Sequence, residues 1–232
     1  MIELKNVTKY FQTNKGKNYT MRDVSLIIPS NKNIGILGKN GTGKTTLMRM
    51  LGKIDFPNKG HIISSNSFSW PLGLGAGFVT SMSGRSNVKF VCRLYGKTKK
   101  EMDSIIEAVR DFSELGKYFD MPIRTYSSGM NARLNFGLAL MFNFDYLLLD
   151  ETLSVGDANF KKKSEKALQD KIKHCSIILV SHNMPTLRRL CDVGIVVHKG
   201  ELVYFSKIGD AIDAYNRINS ISKEAKKHVD KP

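Results

Sequence analysis

An α/β fold is what this chain predicts, and three stretches predict it. Asn33-Ile34-Gly35-Ile36-Leu37 is a short apolar run bounded by polar residues, followed by a glycine-rich turn and then by Leu47, Met48, Met50 and Leu51 at helical spacing. A second apolar run, Asp145-Tyr146-Leu147-Leu148-Leu149, ends in Asp150-Glu151. A third, Ser176-Ile177-Ile178-Leu179-Val180, ends in Ser181-His182. Buried strands that deliver polar residues at their ends, with helical stretches between them, belong to a sheet covered by helices.

From the N-terminus, Ile2-Glu3-Leu4 with Val7 reads as strand, Gln12 to Lys17 as a polar loop, and Val24-Ser25-Leu26-Ile27-Ile28 as strand. Tyr10, Phe11 and Tyr19 lie in this region, where an aromatic ring can stack on a purine. Phe11 is taken as the candidate, with the other two kept open. The turn after Leu37 is Gly38-Lys39-Asn40-Gly41-Thr42-Gly43-Lys44-Thr45-Thr46, which has the spacing of the phosphate-cradling P-loop: glycine, four residues, then Gly-Lys-Thr. The chemistry follows from the residue types. Glycines let the backbone curl its N–H groups inward around an anion, and the helix that follows adds the partial positive charge of its N-terminus. Lys44 brings a mobile cation to the β and γ phosphates of a nucleotide, and the Thr45 hydroxyl is placed to ligate Mg²⁺.

Beyond the first helix, Pro57-Asn58-Lys59-Gly60 is a turn, and His61-Ile62-Ile63 with Phe68-Ser69-Trp70 reads as further strand. The glycine-rich stretch from Pro71 to Phe78 cannot be regular helix. From Asn87 to Leu115 the pattern is helical, with Met102, Ile105, Ile106, Val109 and Phe112 on one stripe. Ser127 is a good N-cap for a helix whose buried face carries Met130, Leu134, Gly137, Leu138 and Met141. Of the two acids after the next strand, Asp150 is expected to orient Mg²⁺ and its waters, and Glu151 to polarise an attacking water. His182, at the end of the following strand, is placed to bond a γ-phosphate. Two β runs around Lys199-Gly200, a short helix from Asp210 to Ile218 and a lysine-rich tail complete the chain.

Composition narrows the class. No run of about 18 apolar residues exists, so no spanning helix is predicted. The first residues lack the apolar core of a signal peptide, and a cytoplasmic protein is expected. Cys92, Cys175 and Cys191 have no metal-ligand spacing and read as reduced thiols. A formal charge of +15 calls for an anionic neighbour. The basic clusters at Lys161-Lys162-Lys163 and at Lys223, Lys226 and Lys227 are not interleaved with aromatics that would stack bases, so an anionic membrane face is favoured over nucleic acid.

The ordered set of P-loop, helical region, Ser127 helix, Asp-Glu strand, Ser154-Val155-Gly156-Asp157 loop and His182 resembles the nucleotide-binding subunits of ABC transporters over essentially the whole chain. Within that family, Tyr126-Ser127-Ser128-Gly129-Met130-Asn131-Ala132-Arg133, the Ser154 to Phe160 segment and Lys199-Gly200-Glu201-Leu202-Val203-Tyr204-Phe205 are similar to the subunits that energise export of bacterial polysaccharides. Capsule exporters of the polysialic acid type stand nearest, ahead of O-antigen and teichoic acid exporters. O-antigen versions often carry an extra C-terminal carbohydrate-binding domain, whereas this chain stops near the end of the ATPase core. Two departures are plain. Ser128 and Met130 replace a glycine and the glutamine of the usual Leu-Ser-Gly-Gly-Gln signature, and Leu72 to Thr80 contains no counterpart of the family's glutamine.

The resemblance implies one ABC-type ATPase domain over residues 1–232, an α/β P-loop NTPase core with an N-terminal antiparallel β region, a helical subdomain near 87–142 and a basic tail near 219–232. It implies ATP and Mg²⁺ as cofactors. Two copies would sandwich ATP between the P-loop of one and Ser127, Ser128 and Gly129 of the other, with Asp157 nearby, and Glu151 and His182 would serve hydrolysis. A polytopic membrane permease subunit is the implied partner, with the polysaccharide contacted indirectly, no nucleic acid, and a peripheral place on the cytoplasmic face of the bacterial inner membrane. The rival expectation is a soluble ABC ATPase acting on ribosomes or nucleic acid, for which the charge argues. The single ATPase unit and the lack of a long coiled-coil insertion argue against it.

Overall fold

The structure, a computed structural model, describes residues 1–72, 77–150 and 157–229, with side chains described through residue 220. In chain order the elements are β1 (Ile2–Thr13), β2 (Gly16–Ile28), β3 (Ile34–Leu37), α1 (Lys44–Leu51), β4 (Lys59–Ser64), α2 (Gly84–Leu94), α3 (Lys99–Ser113), α4 (Ser128–Met141), β5 (Tyr146–Asp150), α5 (Ala158–Lys171), β6 (Ser176–Val180), α6 (Met184–Leu190), β7 (Val193–His198), β8 (Glu201–Phe205) and α7 (Ile208–Val229). This is the α/β class expected, and the chain divides into two compact units, Met1–Phe68 with Ser176–Pro232, and Ser69–Cys175.

In the first unit an antiparallel sheet is ordered β2-β1-β4, with β1 in the middle. Beside it, β3 lies between β6 and β7 and parallel to both, and β8 runs antiparallel to β7. All four residues of β3 are buried, which is why that strand reads as a continuous apolar run rather than an alternating one. Helix α7 packs against β7 and β3 and buries Ile208, Ala211, Ile212 and Tyr215.

In the second unit α3 packs on α2 and α4, and α4 on α5. Of the α3 stripe, Met102, Ile106 and Val109 are buried, whereas Ile105 and Phe112 are half-buried. Trp70, Phe142 and Phe144 form an aromatic cluster, Trp70 meeting Phe144 edge-on at 5.7 Å.

Four expectations are corrected. The Gln12 to Lys17 loop is mostly strand: Gln12 pairs with Lys17 and Thr13 with Gly16, because a backbone ladder can continue where side chains on both faces are polar. Phe68-Ser69-Trp70 is not a strand element. Ser69 instead donates its N–H to the Tyr146 carbonyl at 2.9 Å and accepts from the Leu148 N–H at its hydroxyl, an irregular segment pinned beside β5. The helical stretch from Asn87 to Leu115 is two helices, the first starting earlier at Gly84 and the second ending at Ser113. It breaks where Thr98 and Glu101 form a reciprocal capping box that opens α3. The last helix runs to Val229 rather than Ile218, since residues 219–229 hold no glycine or proline to stop it and include three lysines, a glutamate and an alanine, which favour helix.

Candidate functional site

The phosphate-binding turn is built by β3 and α1. Gly41 and Gly43 have φ of 80° and 104°, left-handed conformations that turn successive N–H groups to one side of the loop. Thr42 closes the turn by donating both its N–H and its hydroxyl to the Lys39 carbonyl. Lys44 is only 8% exposed, and its ammonium donates to the Gly38 carbonyl at 2.7 Å and the Lys39 carbonyl at 3.0 Å, so the cation is folded over the loop. At the start of α1, Gly43 supplies no side-chain cap, and no acidic residue occupies the first turn. A helix start with no side-chain cap and no acid in its own first turn, next to a buried ammonium and two left-handed glycines, fits a nucleotide triphosphate. Thr45 is exposed, Thr46 half-buried and Asn40 exposed.

His182 belongs to the same unit and reaches the P-loop. Its Nε2 lies 3.1 Å from the Asn40 Oδ1, although the two are 142 positions apart. The three candidate aromatics separate by face. Tyr10 and Tyr19 are cross-strand partners whose rings lie 5.3 Å apart. Each is covered by a cation, Lys17 at 4.5 Å and Arg22 at 4.3 Å. Phe11 lies on the other side of β1, two residues from Lys9, and is 44% exposed.

The remaining described candidates lie in the second unit. Ser127 caps α4, its hydroxyl accepting from the Met130 N–H at 3.2 Å, and Ser128 and Gly129 form the first turn. Beside this helix start lies a cavity of about 560 Å³ lined among others by Ser127, Gly129, Lys117 and Arg133. Asp150 ends β5, and its N–H bonds the Leu72 carbonyl at 3.2 Å. Asp157 caps α5 by accepting from the Asn159 and Phe160 N–H groups, and Arg133 of α4 donates to it at 2.7 Å. The Phe160 and Asn159 amides and the Arg133 guanidinium hold its carboxyl below the usual carboxylate range. Glu151 and the Ser154-Val155-Gly156 part of the loop lie outside the described residues, as do residues 73–76 of the glycine-rich segment. Among the described residues no cluster of three or more His, Cys, Asp or Glu could by itself hold a metal.

Two contacts escaped sequence reading. Arg133 couples the Ser127 helix to Asp157, and its only signal is a lone arginine on the helix bearing the cap. Lys9 on β1 is 7% exposed and pairs with Asp55 at 2.6 Å, where the residue type alone predicts solvent.

Comparison with known proteins agrees with this geometry. Residues 21–154 match the family model described as ABC transporter. The chain is 46% identical over 97% of its length to the whole of the polysialic acid transport ATP-binding protein KpsT of Escherichia coli. It is 38% identical over 94% of its length to the whole of the capsule polysaccharide export ATP-binding protein CtrD of Neisseria meningitidis serogroup B. Among solved structures, an ATP-binding cassette in a dimeric post-hydrolysis state bound to ADP and Pi superposes with a TM-score of 0.74 at 19% identity, covering 90% of this chain and 99% of that one, which shows the shared fold. Among the described residues no helix is long and apolar enough to cross a membrane. With a P-loop, a strand ending in Asp150 and near-complete alignment to such relatives, the chain belongs to the ABC transporter family, among the ATP-binding proteins of capsule polysaccharide export.

Proposed function

We propose that this protein binds and hydrolyses ATP to energise export of a capsular polysaccharide across the bacterial inner membrane, through a separate polytopic membrane subunit on whose cytoplasmic side it sits. The observation that carries the reading is 46% identity along the entire length of a polysialic acid transport ATP-binding protein, in a chain whose P-loop fits a triphosphate.

In this reading Phe11 stacks on adenine and residues Gly38 to Thr46 wrap the phosphates. Lys44 leaves the Gly38 and Lys39 carbonyls for the β and γ phosphates, exchanging one set of oxygen acceptors for a more strongly charged one. Thr45 and Asp150 hold Mg²⁺, which when bound neutralises phosphate charge. Glu151 polarises the attacking water, and the His182 ring moves its hydrogen bond from Asn40 to the γ-phosphate. Ser127, Ser128 and Gly129 of a second copy present the N-terminus of α4 to the same triphosphate, with Asp157 of that copy alongside, so two helix N-termini stabilise one anion. Removal of the γ-phosphate then releases the sandwich, and closing and opening act as a two-state switch on the membrane subunit. The residues 1–232 work as one ATPase domain.

The test is purification of tagged protein from gently solubilised membranes. A stoichiometric multi-helix membrane subunit supports the proposal. Ribosomes or nucleic acid without such a subunit would overturn it and make the +15 charge the main clue.

A further inference from the structure

The first unit contains an ion pair that hydropathy does not explain. Lys9 lies on the middle strand of the antiparallel sheet, nearly buried. Its ammonium donates to the Asp55 carboxylate at 2.6 Å and to the Phe56 carbonyl at 2.8 Å. A buried lysine costs several kcal/mol in desolvation unless it is fully bonded, and apolar replacements of such pairs are often neutral or stabilising, so stability is a weak reason for this pair.

Its surroundings connect two parts of the candidate nucleotide site. Asp55 lies four residues past the end of the P-loop helix and is tied to it, its N–H and that of Ile54 both bonding the Arg49 carbonyl. The segment after it clasps β1 at three successive residues. The Asn58 N–H bonds the Thr8 carbonyl, Asp55 and Phe56 take the Lys9 ammonium, and the Asn58 side chain accepts from the Tyr10 N–H. Two residues further along the same face of β1 stands Phe11, and the Lys9 ammonium lies 5.1 Å from the centre of its ring. A cation on one face of an aromatic ring is attracted to its π density and draws that density toward itself. The ring is thereby held in place, and its other face becomes a better platform for an electron-rich purine.

We infer that Lys9 is a positioning residue for the nucleotide. Bridged to the P-loop helix through Asp55, it sets the Phe11 ring at the spacing that lets one ATP molecule engage ring and P-loop together. The inference rests on the proposal that Phe11 stacks on adenine. It assigns Lys9 no contact with ATP.

The experiment compares the affinity of the full chain for Mg-ATP with that for inorganic tripolyphosphate, which engages the phosphate loop but has no base. Phe11→Ala should weaken ATP about tenfold, the effect of losing one base–aromatic stack, with tripolyphosphate unchanged. Lys9→Met should weaken ATP about three- to fivefold, again sparing tripolyphosphate, and should add almost nothing in a Phe11→Ala background. A Lys9→Met/Asp55→Leu variant, which leaves no unpaired carboxylate, should repeat the selective loss and serves if Lys9→Met alone does not fold. Equal weakening of ATP and tripolyphosphate, or an undiminished effect of Lys9→Met in the Phe11→Ala background, would show that the pair only braces the P-loop helix and would overturn the inference. A Phe11→Ala loss with unchanged ATP affinity in both Lys9 variants would overturn it while leaving adenine stacking intact. Wild-type ATP affinity in Phe11→Ala would remove the stacking proposal and this inference together.

Discussion

Lys44 and Gly43 act at the smallest scale, and their roles separate cleanly. The Lys44 ammonium is held by two loop carbonyls, acceptors that phosphate oxygens can replace. Lys44→Ala should therefore fold normally and lose most of its ATP affinity in a calorimetric titration, and retained affinity would take Lys44 out of the phosphate site. Gly43 is different because its constraint is backbone. At φ 104°, and with a Cβ that would lie 3.1 Å from the Thr20 Cβ, Gly43→Ala should cost about 1–3 kcal/mol of stability and weaken ATP as well, measured by denaturant unfolding alongside binding. The P-loop residues were legible in the sequence because their chemistry is encoded in consecutive positions. Lys9 was not legible, because nothing local distinguishes a lysine that faces Asp55, 46 positions away, from one in water.

At the scale of elements, caps decide where helices begin. Thr98 and Glu101 open α3, the Glu101 carboxylate accepting from the Thr98 hydroxyl at 2.7 Å and from its N–H at 2.9 Å. These bonds, with help from Lys97, lower the Glu101 carboxyl from its ordinary value to about 2. A depressed folded-state value means that the contribution is complete above about pH 4.5, declines as the pH falls, and is gone below about pH 2. Thr98→Ala should cost about 1 kcal/mol at neutral pH, and the gap between variant and wild type in urea unfolding should narrow as the pH drops through that window. Ser127 does the same for α4 with a hydroxyl, which carries no charge to titrate. The cap at Ser127 was visible in sequence, whereas α5 and α6 were not anticipated. Their signals, Asp157 before Ala158-Asn159 and Asn183 before Met184-Pro185, are single polar residues among many, and only the observed bonds to the following N–H groups make them caps.

For the whole molecule, function is proposed to reside in a pair of chains, so the decisive behaviour is oligomeric. Glu151→Gln should still bind ATP but turn it over very slowly, and should shift from monomer to dimer in size-exclusion chromatography when Mg-ATP is present. Normal turnover would remove Glu151 from the water-polarising role. What the sequence by itself determined is the α/β class, the P-loop and the strand ends that bear Asp150 and His182. Each of these is written in periodicity or in contiguous residues, and local backbone geometry follows directly from such patterns. The tertiary structure alone decided which partners those residues have. It set His182 against Asn40, tied Asp157 to Arg133, and put Phe11 on the face of β1 that carries Lys9 and apart from the Tyr10–Tyr19 pair. Contacts of this kind join residues from separate elements, and their geometry depends on how buried faces and charges pack in three dimensions, which spacing along the chain does not record.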